Sequence, residues 1–241
     1  MDPITLILIA LAVVFLVIVG TVIFYGLTSG PVARRLGLAE RQPQGALIVG
    51  AHPFARQLAG ALQGLGLRAV LVDSNYHHVA ASRMAGLEAY HGNALAEDTL
   101  DGLDLAGVGR VLALTGNDEV NELAMIQFRE LFGGAEVYRL TPDGDRRPIG
   151  LQQGRILFDT DSHYEALAGA IESGASLRAT TLSAAFTYTD YSDRYGPQAT
   201  PLCLVTDDRR LAFFTADTRP TPRPGHTLVS LVRPESDNDQ G

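Results

Sequence analysis

The chain has 241 residues, 46% of them apolar, and a formal net charge of −8. That length and apolar content support one large domain or two small ones around a real core, and confine disorder to the ends. The acidic balance argues against nucleic acid as a partner, because that binding runs on dense positive charge.

The first element is Ile4 to Leu27, which contains no charged residue. At about 1.5 Å per residue it gives roughly 36 Å of helix, enough to cross a hydrocarbon layer of about 30 Å. A signal peptide has a basic start and a shorter apolar run; this chain starts Met1-Asp2-Pro3, so the stretch reads as a retained transmembrane helix. Arg34, Arg35 and Arg41 follow it and Asp2 precedes it. By the positive-inside rule the C-terminal bulk is expected in the cytoplasm, on a single-pass protein of the inner (plasma) membrane. Ser29-Gly30-Pro31 is the expected helix stop. Thr21 to Gly26, "TVIFYG", reads as plain helix rather than as a potassium filter, because bulky residues stand in mid-run. A single helix without an ionisable side chain is an anchor, or the last piece of something larger.

Residues 31–44 are a polar linker, and strands and helices then alternate. Residues 45–50 read as a strand. Phe54, Leu58, Leu62 and Leu65 mark one face of a helix. Residues 68–73 are a second strand, 75–86 a short helix, 87–92 a third strand and 109–115 a fourth. Asn117 caps a helix with an expected apolar stripe of Val120, Leu123, Ala124, Phe128 and Leu131. Residues 135–140 are a fifth strand. Strands that are apolar throughout predict a parallel sheet covered on both faces, in an α/β domain over 45–160. A smaller α+β unit follows over 161–235. It opens with a capping box at Ser162-His163-Tyr164-Glu165 and carries short strands, with Asp207-Asp208 as a hairpin turn. Residues 236–241 read as a disordered tail.

The chemistry starts at the first strand-to-helix turn, Gly50-Ala51-His52-Pro53-Phe54-Ala55. It fits the dinucleotide fingerprint G-x-G-x-x-A at its first glycine and its final alanine, with His52 where the second glycine stands. His52 has two open readings. Its ring blocks close approach of a pyrophosphate, or, with Arg56 one turn along, it contacts phosphate. Asp73 ends the second strand 23 residues after Gly50, the spacing of a ribose-binding carboxylate, and also suits a turn cap. Thr115 and Asn117 stand at the edge where such folds hold ligands, and capping alone also explains Asn117. Asp159 to His163 reads as a helix cap rather than a metal cluster, and His77-His78 has no joint role. Cys203, the single cysteine, reads as a buried structural thiol. The sequence has no lysine, which excludes a P-loop lysine, a Schiff base and a Tyr-x-x-x-Lys pair. No catalytic or metal-binding set is assigned, and Tyr188, Tyr191 and Tyr195 read as packing and surface residues.

Taken together, the pattern LIVG…LVDSN…GN…VLALTGNDEVN resembles the RCK, or TrkA-N, regulatory domain of potassium channels and transporters. Gly20-Thr21-Val22, Gly26-Leu27-Thr28, Pro31, Ala33, Leu36, Gly37 and Leu38 extend this. They resemble the last membrane helix and following domain of NhaP-like monovalent cation:proton antiporters. The resemblance covers about residues 15–158 and continues more loosely to 232. It implies a cytoplasmic regulatory module that binds NAD(H) or an adenine nucleotide through Gly50, Asp73, Asn75, Gly92, Asn93 and Thr115. It also implies a homodimer through the Rossmann-like domain. The chain is then either a fragment of a longer antiporter or a subunit whose ion-transport partner is separate. Two other functions stay open: an assembly module with a non-functional nucleotide site, and a membrane-tethered NAD-dependent oxidoreductase.

Overall fold

The computed structural model describes residues 2–35, 43–133, 136–143 and 155–234. Residues 36–42, half of the linker with Leu36 to Leu38 and Arg41, and the 236–241 tail lie outside the described residues. The chain divides into two units, Met1–Gln42 and Pro43–Gly241.

The first unit is helix α1, Pro3–Arg35. Its window Leu11–Thr28 has a mean hydropathy of 2.5 and none of it is buried, so it is long and apolar enough to cross a membrane. Two of its hydroxyls bond within the helix. Thr21 donates to the Val17 and Ile18 carbonyls, and Thr28 to that of Phe24. The expected stop at Ser29-Gly30-Pro31 is not where the helix ends. The helix continues past Pro31 to Arg35.

The second unit holds two sheets. The first has six parallel strands: β1 (Gly45–Val49), β2 (Ala69–Asp73), β3 (Glu88–His91), β4 (Val108–Ala113), β5 (Val137–Arg139) and β6 (Arg155–Ile156). Their order is β3-β2-β1-β4-β5-β6. This is the doubly wound arrangement, with the order reversing between β1 and β4. Sequence reasoning passed over β6, whose two residues form no apolar run. The connecting helices are α2 (Pro53–Gly64), α3 (Tyr76–Met84), α4 (Glu97–Asp101) and α5 (Asp118–Phe132).

Alternate strand residues feed opposite cores, which is why the strands read as continuous apolar runs. Ala46, Ile48, Leu71 and Leu112 pack with Phe54, Leu58 and Leu62 of α2. Leu47, Val49, Val72 and Val111 pack with Ala124, Met125 and Phe128 of α5. The buried face of α5 is Asn121, Ala124, Met125 and Phe128, which keeps Ala124 and Phe128 of the expected stripe and replaces the rest. Leu123 and Leu131 are 52% and 63% exposed. A purely apolar pattern leaves out Asn121, whose amide bonds at the end of β4 fix the rotation of the helix.

Helix α6 (Tyr164–Glu172) leads into an antiparallel sheet of β7 (Ser176–Thr181), β8 (Ala199–Val205), β9 (Leu211–Phe213) and β10 (Thr227–Val232), ordered β7-β10-β8-β9. The β8–β9 pair turns at Asp207-Asp208, as the sequence predicts. The expected capping box does not form. His163 is the N-cap, and its Nδ1 accepts from the Ala166 N–H. The capping box is instead at α7 (Tyr188–Tyr195), where Thr187 and Asp190 bond reciprocally. One face of this sheet shares the core of α2 through Leu202, Cys203, Phe213, Val229 and Leu231. Its other face packs with Tyr191 of α7 in a smaller cluster that includes Leu204 and Leu228.

Candidate functional site

The candidate site lies at the carboxyl ends of β1 to β4. Gly50 follows strand β1, and its φ of +106° lies in a region that side chains other than hydrogen disfavour. A Cβ there would also lie 3.3 Å from the Leu114 carbonyl oxygen. The glycine therefore lets the β1 turn sit against the end of β4.

Asp73, at the end of β2, ties this turn to its neighbours. Its Oδ2 accepts from the Ala51 N–H at 2.7 Å and from His78 Nδ1 at 2.9 Å, and its Oδ1 accepts from the Asn75 N–H at 2.8 Å. Burial works to raise its pKa, but the Asn75 N–H, the His78 imidazole and the Ala51 N–H outweigh burial and hold the carboxyl below its usual range. His78, given no role from the sequence, is thus part of the site. Arg56 reaches back along α2 and donates to the Ala51 carbonyl at 2.8 Å.

His52 is the N-cap residue of α2, yet its side chain does not cap the helix. The ring crosses instead to β4, where Nε2 lies 2.7 Å from the Leu114 carbonyl oxygen. A carbonyl only accepts, so Nε2 carries the proton. Nδ1 is then a bare lone pair, buried without a partner. The residue is 3% exposed. Burial lowers its pKa to about 4, against the raising effect of the Leu114 carbonyl. The imidazole is therefore neutral at pH 7 and carries no charge for a phosphate.

Tyr164, the first residue of α6, closes over it. The two rings meet edge to face, with centroids 4.9 Å apart. A Cβ on Gly116 would lie 3.0 Å from the Tyr164 ring, so the tyrosine rests on the turn after β4 as well. Burial raises the Tyr164 pKa, and the Glu165 and Asp73 charges add to this. Tyr164 stands 112 positions after His52, so no local sequence pattern could have brought it to the site.

The remaining candidates also carry internal duties. Asn75 caps α3 by accepting from His77, and Asn117 caps α5 by accepting from Glu119 and Val120. Gly92 gives room to Thr99, and its N–H donates to the Asp73 carbonyl. Asn93 accepts from the Leu95 N–H. Thr115 pairs with the buried Asn121, whose Oδ1 accepts from the Thr115 N–H and hydroxyl and whose amide donates to the Thr115 carbonyl. Asn121 had one signal in the sequence: an amide on the sheet-facing side of a helix, one turn from its cap. Around this edge Ser74, Asn75, Asn93, Gly116 and Asn117 are exposed. No group of three or more His, Cys, Asp or Glu arranged to hold a metal ion occurs among the described residues.

Among solved structures the chain is similar to the TrkA-N domain of the inner membrane protein ybaL from Escherichia coli. That match has 20% identity over 40% of this chain and 71% of the other, with a TM-score of 0.36. It is similar to the NAD(P)-binding domain of an exopolyphosphatase-related protein from Archaeoglobus fulgidus, with 21% identity over 40% and 71% and a TM-score of 0.35. It is also similar to the GsuK channel bound to NAD, with 16% identity over 93% of this chain, 45% of that one and a TM-score of 0.42. The chain thus spans less than half the length of the channel. No curated protein matches it. Residues 46–147, the segment that carries Gly50, His52, Asp73 and Asn117, match the family described as the TrkA-N domain.

Proposed function

We propose that this chain is a membrane-anchored regulatory module that binds a nucleotide and thereby controls monovalent cation transport, of Na+ or K+. The observation that carries the reading is the joined turn at the strand-order reversal. Gly50 opens α2 while Asp73 of the adjacent strand holds the Ala51 N–H at 2.7 Å, within the segment that matches the TrkA-N domain. In this reading α1 is the anchor, the second unit lies in the cytoplasm, and two copies pair through the six-stranded sheet domain. The ligand, NAD(H) or an adenine nucleotide, favours one arrangement of the pair, and its differential affinity biases an ion path in the same or a partner polypeptide. The likeness of the anchor and linker to NhaP-like antiporters supports a cation:proton antiporter as that path. The reading assigns no catalytic residue.

The test is thermal-shift and calorimetric titration of the full chain in detergent with ATP, ADP, NAD+ and NADH. Stabilisation by one of them is the expected result, and stabilisation by none removes the ligand from the proposal. The second reading, an assembly module with an inactive site, is favoured by His52, which is buried and neutral, and by the internal bonds of Asp73, Asn75 and Asn117. It predicts an oligomer that forms without nucleotide and persists in Asp73→Ala, measured by light scattering.

A further inference from the structure

A dinucleotide on a doubly wound sheet must cross from the β3-β2-β1 half to the β4-β5-β6 half, and it crosses where the order reverses. In this protein two rings stand across that passage. His52, from the β1 bank, bonds to Leu114 on the β4 bank at 2.7 Å. Tyr164 packs on the His52 ring at 4.9 Å and rests on Gly116, again on the β4 bank. The His52 ring is nearly sealed from solvent, and its free Nδ1 meets no partner. Asp73 lies on the other side of this barrier, on β2, next to the exposed turn residues Ser74 and Asn75. Three hydrogen bonds to its carboxylate leave one of about four lone-pair positions.

We propose that His52 and Tyr164 are specificity-determining residues that close the second half of the site, so that it takes an adenine mononucleotide on the β1–β3 side and rejects a dinucleotide. This rests on the nucleotide-binding reading above and narrows its ligand class. A glycine at position 52 would remove the ring that bridges the banks. An alanine at 164 would remove its cover. Either change opens the passage without touching Asp73.

The experiment is calorimetric titration of the full-length chain in detergent micelles with ADP and with NAD+, for wild type, His52→Gly, Tyr164→Ala and Tyr164→Phe. Circular dichroism checks each fold. The expected result is that wild type binds ADP at least tenfold more tightly than NAD+. His52→Gly and Tyr164→Ala should each gain at least tenfold for NAD+, and at least threefold more than any gain for ADP. Tyr164→Phe keeps the ring and should behave as wild type. If His52→Gly does not fold, Tyr164→Ala reads the same question. ADP bound with no gain for NAD+ in either opened variant overturns this inference alone. Wild type binding NAD+ as tightly as ADP also overturns it. No binding of either nucleotide to any variant overturns it together with the nucleotide-binding reading. NAD+ bound only by the opened variants, with ADP bound by none, overturns the mononucleotide assignment.

Discussion

His52 and Asp73 titrate in different windows, and both make the fold less stable in acid. The ordinary His value is 6.5 and the folded value is about 4. Between these values the unfolded chain holds a proton that the folded chain does not, so stability is full above about pH 6.5 and falls as pH drops towards 4. The loss at pH 5 is on the order of 2 kcal/mol. Urea unfolding at pH 5 and pH 7 measures it, and His52→Gln, which does not titrate, is expected to show a smaller difference. A wild-type slope equal to that of the variant would mean that the ring is solvated. Asp73 acts lower. Its folded pKa is depressed from 3.8, so its contribution is present above that value and lost as pH falls through the folded one. Asn121 supplies a third residue-scale prediction that does not depend on pH. Removing its amide leaves the Thr115 N–H and carbonyl without their partner in a partly buried place, so Asn121→Ala is expected to cost about 1–2 kcal/mol in the same unfolding experiment.

Element by element, the sequence was most legible where burial is symmetric. Strands β1, β2 and β4 are buried on both faces, so each leaves an apolar run with polar or glycine ends, and each lies within two residues of its expected bounds. Helix α2 was equally clear because Phe54, Leu58 and Leu62 keep one face in the core. What was missed is short or polar. Strand β6 has two residues, α4 has five, and α7 reads "YTDYSDRY". Helix α7 did leave a local signal, Thr187 three residues before Asp190, which is its capping box. Fingerprint spacing placed Gly50, His52, Arg56 and Asp73 at one sheet edge, the end of a strand placed Thr115 and Asn117, and only the family resemblance pointed to Asn75, Gly92 and Asn93. Their bonding was not legible, because Tyr164 and Leu114 reach His52 through tertiary packing alone. The same packing sets the environment of Cys203 in β8. Burial pushes its thiol up to about 12, so it holds almost no thiolate at neutral pH. A thiol-specific reagent at pH 8 is expected to leave the folded protein unmodified and to react once after urea unfolding. Rapid labelling of the native protein would show that the β8–β10 pairing opens readily.

At the scale of the whole molecule, the two units differ in what stabilises them. The second contains three hydrophobic clusters drawn entirely from residues after 43. Its two sheets are joined by the shared core and by side-chain bonds such as Leu177 N–H to Gln57 and Leu211 N–H to Gln44. Among the described residues, these clusters include none from α1. The helix instead exposes apolar side chains around its circumference, among them Phe15, Leu16, Phe24 and Leu27, and a helix apolar on all sides needs an apolar surrounding. Removing residues 1–42 is therefore expected to leave the urea midpoint of the remainder within about 0.5 kcal/mol of the full chain, a change typical of alterations outside the core. It is also expected to move the protein from the membrane pellet to the supernatant on cell fractionation. Two charges substituted into the helix, Leu16→Arg with Val19→Arg, should release the full chain in the same way, because each charge at mid-membrane costs about 3 kcal/mol. If the truncated chain stays in the pellet, another surface holds it there. If truncation collapses the fold, α1 belongs to the core of the second unit, and the anchor reading fails with it.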